Sequence, residues 1–277
     1  MPNLQEALDL VLADHRVNER RDLPHTVSRT VHLRRLLDLT AAAPTIGTLL
    51  QYAQARQGEG SSPATLNREL AVLRRGCSLA GIEWPRQWRQ LREAPPRTGF
   101  TDRAELERAC AHLAPAYADA ARFCFLTGWR RGEALSLRWS EVDFEAGEVR
   151  LLAGTTKNRE PRVFPLYPQL RALLWDRRPD GSLTQAWWGN LVFTTDGRPL
   201  RSFSYHWRRA CVQAGCPALL VHDFRRTAAR NLIEAGVDRQ VAMRLLGHKT
   251  ESVFNRYRIT TGKELTIAAD KLSKLLA

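Results

Sequence analysis

No stretch of this 277-residue sequence approaches the ~18 consecutive apolar residues that a bilayer-spanning helix requires. The opening Met1-Pro2-Asn3-Leu4-Gln5 lacks the basic-then-apolar order of a secretory leader, so the expectation is a cytoplasmic protein with no membrane partner. Cysteine is sparse: Cys77, Cys110, Cys124, Cys211 and Cys216 make an odd count with no Cys-x-x-Cys pair. Three of them stand among apolar or helical neighbours. Buried free thiols are therefore expected, with no disulfide, no metal and no cofactor. Lysine is scarcer still over most of the chain, Lys157 being the only one before Lys249. No internal repeat or low-complexity segment is present.

Arginine is abundant. Lys and Arg together number 42 against 29 Asp and Glu, a net charge of +13 and a pI near 10.3, which draws polyanions and points to nucleic acid. A hydrophobic content of 44% with 26% charged residues excludes a disordered or fibrous chain. The length suits two domains of roughly 100 and 180 residues.

From Leu4 to about Gly81 the apolar spacing is helical, in Leu4–Leu12, Val27–Leu39, Ile46–Tyr52 and Leu66–Leu79. Thr26 and Ser62 read as N-caps, the latter followed by Pro63, and Gly76 and Gly81 mark the end of the last helix. Residues 1–98 hold 14 arginines against 10 acids, either a solvated face or a phosphate-contacting one. Trp84-Pro85-Arg86-Gln87-Trp88 and Pro95-Pro96-Arg97-Thr98-Gly99 then interrupt helix, which predicts a helical domain over 1–84, a linker over 85–99 and a second domain over 100–277. The second domain begins with a capped helix at Thr101-Asp102 and a helix over Ala116–Leu126 that stops at Thr127-Gly128. Val149–Leu152 and Arg162–Leu166 read as a hairpin, and Leu191-Val192-Phe193 as one more short strand. Helices follow over Phe203–Ala214, Asp223–Glu234 and Arg239–Leu246, with pieces at Val253–Tyr257 and Lys263–Leu276. The fold class is α+β: mainly α, with a small β-sheet in the second domain.

Four boxes stand in order: Thr127-Gly128-Trp129-Arg130-Arg131-Gly132-Glu133, His222-Asp223-Phe224-Arg225-Arg226-Thr227, Leu246-Gly247-His248, and Tyr257. Together they resemble the signature of the tyrosine recombinase, or phage integrase, family. The resemblance covers most of residues 101–277, and the helical first domain is similar to that family's core-binding domain. It implies a site-specific recombinase that cleaves and rejoins DNA through a 3′-phosphotyrosyl bond, without metal or ATP. The chemistry accounts for the residue types. Attack on a phosphodiester builds negative charge on the non-bridging oxygens, and a planar, always protonated guanidinium can hold two of them at once.

By the resemblance Arg130 and Arg225 clamp the phosphate, family spacing selecting Arg130 over Arg131. Glu133 orients the arginine or helps hold the site, a simple helix salt bridge being the other reading. Lys157, at the expected hairpin tip, protonates the leaving group, a task arginine cannot perform. His248, just past Gly247, bonds the phosphate, and His222 accepts or relays the proton of the nucleophile; which histidine is the base stays open. Tyr257, nine residues after His248, is the nucleophile, in preference to Tyr52 in the helical domain, Tyr117 before an apolar helix, Tyr167 between prolines, and Tyr205. Phe254 and Ile259 depart from the family pattern, which has Thr three residues before the tyrosine and His two after it. The helix over Lys263–Leu276 either packs on its own domain or docks in trans in a tetramer on two DNA sites, with accessory proteins as further partners. A type IB topoisomerase and a catalytically silent DNA-binding protein of integrase descent are the alternatives.

Overall fold

A computed structural model describes residues 2–95, 99–151, 161–178, 190–248, 250–251, 254, 269–270 and 272–273. The chain divides into two compact units, Met1–Pro96 and Arg97–Ala277. Among the described residues, no helix is long and apolar enough to cross a membrane.

The first unit is a helical bundle: α1 (Leu4–Val17), α2 (Leu23–Leu36), α3 (Ile46–Gly58) and α4 (Pro63–Ala80). Each start has a local cause. The Asn3 side chain accepts the Glu6 N–H, Thr45 and Thr48 form a reciprocal capping box, and Ser62 accepts from Thr65 with Pro63 behind it. Thr26 is not a cap. It lies within α2, fully buried, with its hydroxyl 3.3 Å from His15 Nδ1, because Pro24 lets the helix start one turn earlier. Gly81, at φ 70°, ends α4. Gly76 serves packing: a Cβ there would lie 2.3 Å from the Ala7 carbonyl oxygen, so its absence lets α1 and α4 touch. Leu4, Leu8, Leu33, Leu49, Leu66, Leu70 and Leu73 fill the core. Trp84, Trp88 and Leu91 continue packing on that core beyond α4, and Asn67 bonds both backbone groups of Leu91 at 2.9 Å.

The second unit is built around α6 (Pro115–Thr127), whose apolar faces meet α5 (Arg103–Cys110), α8 (Pro168–Asp176), α9 (Phe203–Gln213) and α10 (Val221–Glu234). Asp102, in a capping box with Glu105, starts α5, while Thr101 is buried and donates its N–H to Thr227 Oγ1 at 3.0 Å. A short α7 (Arg131–Leu135) leads to an antiparallel sheet of β1 (Val142–Asp143), β2 (Glu148–Leu151) and β3 (Arg162–Pro165). In its register Val149 faces Phe164 and Leu151 faces Arg162. Leu191 makes a single bridge to Arg138; the expected strand there gives way to β4 (Thr194–Thr195) and β5 (Arg198–Pro199), because Val192 and Phe193 turn into the core. Finally α11 (Arg239–Leu246) packs on α10 through Ala228, Ala229, Ala242, Leu246 and Phe254. The fold is mainly α with small antiparallel sheets, as the periodicities indicated. Cys77, Cys110, Cys124 and Cys211 are buried free thiols, and Cys216 is half-buried.

Candidate active site

At Gly128, φ is 64°, and a Cβ would stand 2.6 Å from both Ala228 Cβ and Leu246 Cδ2. Glycine thus lets the end of α6 touch α10 and α11 at once. Beyond it the backbone runs extended, and Arg130 (φ −65°, ψ 141°) is the residue just before α7. Its backbone N–H donates to Glu133 Oε2 at 3.1 Å and its Nη1 to Oε1 at 2.7 Å. Arg131, the first helical residue, swings the other way and bonds the Ser204 hydroxyl. The change of backbone conformation between these neighbours separates them, rather than the angular step between successive helix positions.

Glu133 is only 4% exposed and also receives Arg162 Nη2 at 2.8 Å. Burial pushes its carboxyl up, but the Arg162 charge and the hydrogen bonds from Arg130 and Arg162 outweigh that, and it is held below the usual carboxylate range. The Arg162 guanidinium lies 4.9 Å over the Trp129 ring, and burial lowers its own pKa. Sequence reasoning missed Arg162. The signal was present, since alternation from Phe164 places it on the inward face while Val163, 51% exposed, faces out.

Arg225, one turn into α10, is 2% exposed. Its Nη1 donates to the Gly128 carbonyl at 2.9 Å, its Nη2 to the Leu246 carbonyl, and its Nε to His248 Nε2 at 3.0 Å. Those carbonyls sit at the C-terminal ends of α6 and α11, where helix dipoles gather negative charge, so two helix ends offset a buried cation. Arg226 turns to Asp223 Oδ1 at 3.1 Å.

Gly247, at φ 66°, ends α11 and presents His248, whose N–H donates to the Met243 carbonyl at 2.9 Å. An arginine Nε can only donate, so His248 Nε2 is the lone-pair nitrogen and the neutral ring carries its proton on Nδ1. Burial, then the charges of Arg225, Arg130 and Arg162, push the His248 pKa down to about 3. Phe254, the departure from the family pattern, packs its ring 5.7 Å from the imidazole and adds to that burial. His222 lies in the first turn of α10 and not before it, and its pKa is lowered by burial and by Arg225 and Arg226.

A cleft of about 610 Å³ opens beside this cluster, lined by Arg130, Glu133, Arg162, Gly247 and His248 among others. Of Arg130, Arg162 and Arg225, Arg130 is the most open to solvent, its side chain 28% exposed, and its Nη2 stands 3.5 Å from the Gly247 carbonyl. Five of the expected residues, Arg130, Glu133, His222, Arg225 and His248, thus belong to one cluster around α10. Lys157 and Tyr257 lie outside the described residues, as does most of the stretch from Lys263 to Leu276.

Comparison with known proteins is consistent with this arrangement. The sequence matches the family described as Phage integrase family over residues 100–263. It is 29% identical over 134 residues to prophage integrase IntF of Escherichia coli K12, covering 48% of this chain and 28% of that protein. It is 30% identical over 151 residues to tyrosine recombinase XerC of Mycobacterium leprae, covering 53% and 50%. The chain spans about half or less of the length of these curated relatives. Among solved structures, a lambda integrase dimer bound to a COC′ core site superposes with a TM-score of 0.72 at 19% identity, covering 94% of this chain and 78% of that one. The Tn1549 transposon integrase in complex with transposon right end DNA gives 0.74 at 17%, covering 98% and 100%. These likenesses show the fold. With the family match spanning more than half its length, the chain belongs to the phage integrase family.

Proposed function

We propose that the chain is a site-specific DNA recombinase that cuts a strand and rejoins it through a 3′-phosphotyrosyl intermediate. The observation that carries this reading is the convergence of Arg130, Arg162 and Arg225 around a neutral His248 beside an open cleft. Burial first, and then the charges of Arg225, Arg130 and Arg162, keep His248 neutral, and those three cations suit a phosphodiester gaining charge in the transition state.

Arg130 and Arg225 are assigned to the phosphate, with Glu133 fixing Arg130. His248, a poor base with its pKa pushed down to about 3, is assigned to hydrogen bonding with the phosphate rather than to proton removal. The Tyr257 oxygen attacks phosphorus, its proton passing to His222. The bond from phosphorus to the 5′ oxygen breaks, and that oxygen takes a proton from Lys157. The new phosphotyrosine keeps the bond energy, so a 5′-hydroxyl from a partner strand can reverse the step without ATP. We assign residues 1–84 to core-site DNA binding, 85–99 to a linker and 100–277 to catalysis, the support being the helical bundle of the first, the arginines Arg86, Arg89, Arg92 and Arg97 of the second and the cluster of the last. One relative, lambda integrase, is known as a tetramer bound to a Holliday junction. We propose the same assembly here, with the stretch over 263–276 reaching a neighbouring copy, and the cytoplasm as the place of action.

The test uses nicked duplexes of randomised sequence, from which DNA that survives SDS on the protein is recovered and its linked peptide mapped. The expected adduct is on Tyr257 and disappears in Tyr257→Phe. An adduct on another residue, or none, overturns the reading, and relaxation of supercoiled plasmid lacking the recovered sequence points instead to a topoisomerase.

A further inference from the structure

We propose that Arg162 is a positioning residue for this cleft, holding Glu133 and the Gly247 turn so that Arg130 and His248 keep their directions toward a phosphate; the inference rests on the recombinase reading. Arg162 stands on β3 beside Phe164, at an inward position where an apolar side chain opposite Leu151 would complete the sheet. A buried guanidinium is costly there, and it needs partners that justify its place.

Its contacts point to the cleft on three sides. Nη2 meets Glu133 Oε2 at 2.8 Å, while the other Glu133 oxygen holds Arg130 Nη1 at 2.7 Å. One carboxylate therefore bridges two guanidiniums, and Arg130 has its direction set only while Glu133 is itself held. The Arg162 Cζ stands over the ring of Trp129, the residue just before Arg130, 4.9 Å from its centroid. Nη1 lies against Gly247, where a Cβ would come within 2.2 Å of it. Gly247 is the turn that presents His248, and its carbonyl faces Arg130. One side chain thus braces the carboxylate behind the first clamp, the residue before that clamp, and the turn before the histidine. Lysine could pair with Glu133 but, as a compact point charge, could not meet Glu133, the Trp129 ring and the turn together.

Arginine-selective ¹⁵N NMR of the whole chain, with the Arg130 signal identified by Arg130→Lys, tests this without any turnover. In Arg162→Gln the Arg130 Nη1–H, which donates to Glu133, is expected to exchange with solvent about 10-fold faster, and in Arg162→Lys by an intermediate factor. On the duplex recovered above, adduct formation by Arg162→Gln is expected to fall about 10-fold or more, as for loss of a group that orients a site, with DNA affinity within about 3-fold of wild type. Arg130 exchange unchanged in Arg162→Gln overturns the proposal. So does equal failure of the Gln and Lys variants accompanied by loss of folded amide dispersion, which would make Arg162 a packing residue. A wild-type chain that forms no adduct sinks the recombinase reading alone, because the Arg130 signal still decides Arg162.

Discussion

In the first unit Arg56 meets two carboxylates, Glu69 at 2.8 Å and Glu59, whereas in the second Glu133 is shared by two arginines while Arg225 donates to backbone carbonyls and an imidazole. The first cluster is closed. Tyr52 donates to Glu69 at 2.7 Å, and burial and Glu69 raise the tyrosine's pKa so that it stays a neutral donor. Arg35 also donates to Glu59, so two arginines balance two carboxylates, and the result is a strut between α3 and α4. The second cluster gathers cations beside a cleft, and its positive potential is paid for by dipoles and by a histidine forced to stay neutral. Two buried ion networks of similar parts thus do different work, and the balance of charge tells them apart.

The sharpest way to break the first is Glu69→Ala, which leaves Arg56 buried with one carboxylate. An expected loss of roughly 3–5 kcal/mol should appear in urea denaturation and as faster hydrogen exchange over α3 and α4, with α6 and α10 unaffected. A loss under about 1 kcal/mol would show that the strut is dispensable. Breaking the second at its open cation, Arg130→Gln, is expected to slow adduct formation by roughly 10²–10³-fold, the usual effect of removing one donor to a developing oxyanion. Its stability should change by less than about 1 kcal/mol, because this side chain is partly solvated.

Acid separates the clusters next. The His248 pKa is pushed down to about 3 in the folded chain against an ordinary 6.5, so the unfolded chain binds more protons between those values. Stability is therefore fully present above pH 6.5 and falls as pH drops toward 3, by up to about 1.4 kcal/mol per pH unit. His222 adds to the same slope, while Glu133, held below the usual carboxylate range, contributes mainly at lower pH. Denaturation between pH 7 and pH 5 should show about 2 kcal/mol of this loss in the wild type, and less in His248→Gln. An identical slope in the variant would mean that the imidazole is not held neutral.

Much of this was legible in residue order. Helix starts at Ser62 and Asp102 and ends at Gly81, Gly128 and Gly247 follow from caps and left-handed glycines, whereas the grouping of Arg130, Arg225 and His248 was implied by the resemblance of their boxes to the family. Most of what escaped depends on distant partners. Thr26 reads as a cap when the earlier start that Pro24 permits is passed over, a local miss, but Leu191-Val192-Phe193 reads as a strand until the core claims two of its side chains. Arg162 reads as one more arginine of a basic chain, because its meaning lies in Glu133, 29 positions earlier.

The smallest expected effect belongs to the neighbour of the open cation. Arg131 carries the same charge as Arg130 and stands next to it, so an account based on net positive charge alone predicts similar losses for both. The geometry predicts otherwise: Arg131 begins α7 and bonds Ser204 on α9, away from Glu133. Arg131→Gln should cost under about 0.5 kcal/mol of stability, as an exposed polar contact does. Adduct formation on the recovered duplex should stay within about 3-fold of wild type, against the roughly 10²-fold or greater loss for Arg130→Gln. If the two variants fall together at low and at high salt, orientation is not what distinguishes the cations, and the contrast between a closed strut and an aimed cluster fails at its most specific point.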